Sequence, residues 1–129
     1  MGIRKRSYTY DVGMTHVSAE RFEELTAEAL DELPRWVLGR MENVEVMIED
    51  HPPPGEPNLL GRYEGIPLTK RGIGYAGVLP DRIVLFRSTL QRVSVNDADL
   101  RERVQHTVVH EIAHFFGISD DRLREMDRY

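Results

Sequence analysis

The sequence predicts an α+β fold. Apolar residues recur at helical spacing over residues 22–33 and again over 97–116, the signature of amphipathic helices. Between them lie short alternating or apolar runs at 44–49, 75–79 and 82–86, which read as strands. With 129 residues, the chain makes one domain, 1–129, burying roughly two-thirds of its unfolded surface.

Residues 1–17 are polar and mixed and read as an extended or mobile arm. Ser18 reads as an N-cap. Behind it Phe22, Leu25, Ala29 and Leu33 form the apolar stripe of a first helix. Pro34 ends that helix and suits the first turn of a new one, placed at 34–41 with Trp36, Val37 and Met41 inside. Val44, Val46 and Ile48 alternate with Glu45, Met47 and Glu49, a strand with one buried face. The proline-rich run Asp50–Pro57 excludes regular structure, and the irregular character persists to about Gly72. Tyr75–Leu79 and Arg82–Phe86 read as two strands of a hairpin across Pro80-Asp81. Residues 88–95 match neither template. Asn96 caps a long helix from about Asp97 to Phe116, with Asp97 and Asp99 in its first turn. Gly117 ends it, and Ser119-Asp120-Asp121 restarts a short helix.

Composition removes several function classes. Lys and Arg number 17 against 22 Asp and Glu, a net charge of −5, which disfavours a nucleic-acid binder held by phosphate contacts. There is no cysteine, so disulfide scaffolds, zinc fingers, iron–sulfur sites and thiol nucleophiles are excluded. A metal must be held by His and carboxylate. The basic start lacks an apolar run behind it, and no stretch approaches a membrane span. A soluble, cytoplasmic protein without membrane partners is expected.

The chemistry concentrates at Val108–Asp120. His110-Glu111-Ile112-Ala113-His114 is His-Glu-x-x-His. At 3.6 residues per turn the two imidazoles lie one turn apart on one face and reach one ion. Glu111 is offset from the pair, badly placed as a third ligand and well placed to take a proton from a metal-held water. A catalytic zinc usually takes three protein ligands. Gly117, three residues past His114, turns the chain back, and Asp120, three further on, supplies the third. His-Glu-x-x-His arises by chance in roughly 0.3% of chains this long, and adding the Gly and the Asp or His lowers that to the order of 10⁻⁵. Leu100, Val104, Val108 and Ile112 line the opposite face of the helix for core packing.

This segment resembles the zincin metallopeptidases that carry the extended Gly-turn motif, close to the metzincins. More narrowly, Gly61–Thr69, Tyr75–Ile83 and Thr107–His114 are similar to the small bacterial minimal zincins. The resemblance implies a small mixed sheet packed on helices, with the motif helix under the cleft, and one zinc ion. It implies hydrolysis of a peptide or protein substrate, with Glu111 as general base and His110, His114 and Asp120 as metal ligands. Metzincins use His where this chain has Asp120 and place a Met-turn under the metal. Here Met126 follows Asp120 by six residues, too soon for the usual excursion. Zincins lay substrate along an edge strand, for which Gly74–Gly77 is the expected segment. Tyr63, Tyr75 and Tyr129 are the oxyanion-stabilising candidates.

Several residues carry a plainer alternative. Asp120 also suits a helix N-cap, with Asp121 the fallback ligand. His106 extends the histidine face by a turn, too far for the same ion, and reads as a supporting or surface residue. His16 and His51 read as solvated, and Trp36 and Phe22 as core. A second function reading keeps the zinc in a binding or regulatory module with little or no peptidase activity. The short chain leaves little room for a subdomain closing the cleft.

Overall fold

The computed structural model describes residues 3–5, 17–41, 43–66, 80–119 and 121, without the side chains of 3–5, Trp36 and Arg40. Its elements are β1 (Ile3–Lys5), α1 (Ala19–Asp31), α2 (Arg35–Arg40), β2 (Val44–Glu49), β3 (Gly61–Glu64), β4 (Asp81–Phe86), α3 (Arg87–Val93) and α4 (Asp97–Phe115). The strands form one sheet in the order β1-β2-β4-β3. β1, β2 and β4 run parallel and β3 lies antiparallel to β4. The fold is α+β with a mixed sheet, as expected.

The first helix follows its sequence signals. Ser18 accepts a hydrogen bond from the backbone N–H of Arg21 at 3.0 Å, which satisfies one of the orphan donors of the first turn. Phe22, Leu25, Ala29 and Leu33 are all buried. Alternation in β2 sends Val44, Val46 and Ile48 into the main core together with Ile83 and Leu85 of β4. The same core takes Leu100, Val104, Val108 and Ile112 of α4. α1 and α4 therefore cover one face of the sheet. Arg101 links them at the surface, pairing with Glu28 at 3.4 Å and with Glu32. Burying these side chains contributes roughly 1.5–3 kcal/mol each before entropy is counted.

The sheet departs from the sequence expectation in four places. Residues 3–5 form β1 rather than part of an arm, because a short charged segment is held by backbone pairing to β2 and carries no apolar period. The irregular stretch after Asp50 contains β3. It is four residues long and begins with glycine, at the lower limit of a readable strand run. β4 has β2 and β3 as its neighbours, where a hairpin with 75–79 was expected. Residues 82–85 pair with β2 on one side and with β3 on the other, and a strand has only two edges; residues 75–79 lie outside the described residues. The other face of the sheet is also apolar. Met47, Val84 and Phe86 are buried there with Leu59 beside them, where one buried face was expected.

The unassigned 88–95 stretch is mostly α3. Its first residue, Arg87, is wholly buried and pairs with Asp50 at 3.0 Å. Among the described residues no helix is long and apolar enough to cross a membrane.

Candidate metal centre

α4 is fastened at both ends. Asn96 accepts from the N–H of Asp99 at 2.8 Å, and the Asp99 carboxylate accepts from the N–H of Val95 at 3.0 Å. Together they satisfy the N–H groups of Asp99 and Val95 and set negative charge at the positive helix end. At the other end Ile118 donates to Ala113 and Gly117 to His114, at 2.8 and 2.9 Å. Gly117 sits at φ +85°, where glycine carries no Cβ penalty. This is the Schellman reversal expected for that glycine.

Between these caps, His110, Glu111 and His114 bring ligand atoms within 4.8 Å of one another. The imidazole centroids are 4.9 Å apart. His114 Nδ1 lies 3.2 Å from Glu111 Oε1, and His110 Nε2 lies 4.0 Å from Glu111 Oε2. Glu111 is thus closer to both rings than helical angles alone suggest, because its flexible side chain folds back between them. The carboxylate is buried at 6% exposure, while both imidazoles stay partly open. Burial pushes the Glu111 carboxyl above the usual range, and the two histidines and a hydrogen bond from the Tyr63 backbone pull it back down. Burial also lowers His106, aided by the neighbouring His110 and Arg103.

β3 supplies the contact with Tyr63. In the antiparallel register Tyr63 faces Ile83, and the bond from Phe86 N–H to Leu60 C=O sets the alternation of paired groups. Leu60, Arg62 and Glu64 then turn their backbone groups toward β4, while Gly61 and Tyr63 turn theirs outward, and the Tyr63 backbone reaches Glu111 of α4. Gly61 permits the approach. A Cβ there would stand 2.6 Å from Thr107 Cγ2 and 2.9 Å from the Val84 carbonyl oxygen. Tyr63 is anchored by its hydroxyl, which donates to Asp81 at 2.6 Å, and by an edge-on contact with Phe115 at 6.2 Å.

A cleft of about 330 Å³ opens beside the carboxylate, with Leu59, Leu60 and Gly61 on one wall and Arg103, His106, Thr107, His110 and Glu111 on the other. The sequence reading named His106, His110 and Glu111 of the second wall and did not single out Arg103 or Thr107 as part of a site. Their signal was present in α4, where 103, 106, 107 and 110 recur at three- and four-residue spacing on one face.

The structure thus gathers His110, Glu111 and His114. Asp120 lies outside the described residues, as do Met126, Tyr75, Tyr129, His16 and the segment 74–77. Asp121 is exposed. His51 is exposed too, with Nδ1 3.0 Å from Ser88 Oγ. Among the described residues, His110, Glu111 and His114 are the one group of three such side chains close enough to share a metal ion. Two imidazoles and a carboxylate on a half-buried surface are a donor set that suits zinc.

Residues 41–129 match the family model described as zincin-like metallopeptidase. A search of curated proteins returns no match. Among solved structures, the chain is similar to a conserved hypothetical protein from T. thermophilus. The identity is 27% and the TM-score 0.56, over 78% of this chain and 94% of that one. The family match spans β2 to the end of the chain and contains the whole histidine–glutamate group, and on that ground the chain belongs to the zincin-like metallopeptidases.

Proposed function

We propose that the protein is a zinc-dependent peptide hydrolase in which His110, His114 and Asp120 hold the ion and Glu111 is the general base. The observation that carries this reading is the convergence of His110, Glu111 and His114 within 4.8 Å at the edge of an open cleft. When bound, zinc lowers the pKa of a water toward neutrality and polarises a carbonyl. The chain does the rest. Glu111 accepts the water's proton and later passes it to the leaving amine. Its burial makes it a stronger base than a solvated carboxylate, and the Tyr63 N–H keeps it aimed. The outward backbone of β3 at Gly61, next to the Tyr63 N–H already given to Glu111, offers an edge along which an extended peptide can pair. We take that edge to be β3; the 74–77 segment expected from the sequence lies outside the described residues.

The test combines metal content and turnover. Dialysed wild type should hold one zinc by elemental analysis, and His114→Ala and Asp120→Ala should lose it. Zinc lost only from His114→Ala reduces Asp120 to a helix cap. A peptide library should be cleaved by wild type and spared when a chelator is present. Glu111→Gln should keep zinc and lose roughly 10²–10⁴-fold in turnover.

A second reading is a zinc-stabilised binding or regulatory module. One observation favours it: a 330 Å³ cleft is at the lower end for ligand sites of about 300–1,000 Å³ and offers modest binding energy. Zinc without cleavage selects the module, and no zinc after metal is added back sinks both readings.

A further inference from the structure

The cleft has a chemical polarity that hydrolysis by itself does not use. One end holds Glu111 and His110. The other end, up α4 toward its N-terminus, holds Arg103 and His106. Among the described residues of this lining, Glu111 alone bears an acidic side chain, although the whole chain carries a net charge of −5. Between the ends, Leu59 and Leu60 form an apolar wall.

Arg103 is suited to receive an anion. It lies seven residues before His110, about 10 Å along the helix axis at 1.5 Å per residue. An extended peptide advances about 3.3 Å per residue, so the two ends of the cleft are about three residues apart on a bound chain. The ion pair of Arg103 with Asp99 at 3.1 Å is made through Nε. That bond engages Nε, and a guanidinium has four further N–H donors on its two terminal nitrogens. A guanidinium held in this way is pre-oriented to take a carboxylate in charge-assisted hydrogen bonds.

We infer that Arg103 makes the far end of the cleft a subsite for a carboxylate of the bound peptide, about three residues from the reacting bond. The inference rests on the peptide-hydrolase reading for its ligand class. The carboxylate comes either from an acidic side chain or from a free peptide C-terminus, and both present the same group to Arg103. Arg103 is a specificity-determining residue, not a catalytic one.

Binding tests this without turnover. The full chain carrying Glu111→Gln is titrated into three fluorescein-labelled hexapeptide pools, read by anisotropy. The first pool has one internal Glu and an amidated end. The second has Gln in its place and an amidated end. The third has Gln and a free C-terminal carboxylate. At least one acidic pool is expected to bind about tenfold tighter than the neutral pool, and which one identifies the source of the carboxylate. Arg103→Met should bring that ratio to about one while leaving neutral binding in place, and Arg103→Glu should invert it. A purely structural role for Arg103 would weaken all three pools alike. Arg103 is exposed, so these variants keep the fold.

Equal binding of all pools, a preference that survives Arg103→Met, or no binding of any pool overturns the inference. Zinc content and turnover of wild type are measured in parallel. An acidic preference without turnover sinks the hydrolase and leaves the subsite standing. Turnover without the preference does the reverse.

Discussion

Asp50 and Glu111 are both buried carboxylates beside nitrogen partners, at 3% and 6% exposure. Their neighbours separate them. Asp50 follows β2 and Arg87 follows β4, and because Glu49 and Phe86 are in register, the next residues meet. Arg87 donates through Nε and Nη2 to one Asp50 oxygen at 3.2 and 3.0 Å. Guanidinium is charged at every ordinary pH, and this one is wholly enclosed. The pair works as a clamp across two strand ends. Glu111 is flanked instead by imidazoles, which can be neutral and bind metal, and one side of it faces a cleft. Burial of a carboxylate therefore does not mark a site by itself. The titratability of its partners and access from solvent do.

That contrast can be broken most sharply by stability measurements. Asp50→Ala leaves a buried guanidinium without its counter-charge and is expected to cost about 3–5 kcal/mol, read from urea unfolding. Glu111→Gln, measured the same way with chelator present so that bound metal does not add to wild-type stability, is expected to stay within about 0.5 kcal/mol or to gain. An equal loss in both variants would end the distinction between clamp and base.

Backbone proximity at the site gives the next effect. Gly61→Ala places a methyl against Thr107 and the Val84 carbonyl, and a backbone oxygen cannot swing aside. A loss of about 1–3 kcal/mol is expected, with weaker peptide hydrolysis as β3 shifts. Gly39→Ala is the control. A Cβ there meets nothing within 4 Å, and the residue lies in α2, so stability should rise by about 0.5–1 kcal/mol. A loss at Gly39 would mean that glycine content, not the close approach of β3, explains the Gly61 result.

Tyr63→Phe removes the hydroxyl that donates to buried Asp81, a change of about 1 kcal/mol in thermal unfolding. Turnover should fall further than stability if the Tyr63 backbone aims Glu111. The smallest effect is at Asp99. Its hydrogen bond from the Val95 backbone, and then its pair with Arg103, hold its carboxyl below the ordinary value. A lowered carboxylate adds stability above its unfolded pKa, about 3.9, and loses it as pH falls through the lower folded value. The melting-temperature gap between wild type and Asp99→Asn should therefore be widest above about pH 4 and close on acidification. A gap that widens in acid would contradict the cap.

The helices and the metal pair were legible because both depend on local periodicity. Ser18, Asn96 and Gly117 act within one turn of themselves, and His110 and His114 share a face through helical spacing alone. β3 and β1 were not legible. Runs of three or four residues lie at or below the lower limit of a readable strand, and their pairing partners lie tens of residues away. The neighbours of β4 were not legible for the same reason. β4 reads as a strand from its own side chains, but which strands flank it is a long-range matter. Met47 reads as a solvent-side residue in an alternating strand, and only the packing of Val84, Phe86 and Leu59 beside it buries it.

By itself the sequence determined which helix carries the His-Glu-x-x-His group, which residues could bind metal, and which face of that helix joins the core. Helical geometry is local, so spacing is enough for this. The tertiary structure alone decided that β3 is the strand beside that helix, that Gly61 lets it approach, that the Tyr63 N–H reaches Glu111, and that Arg103 shares a cleft with His110. Each of these needs atoms from segments far apart in the chain, and the energy that joins them comes from burial and backbone pairing, which no short stretch of sequence records.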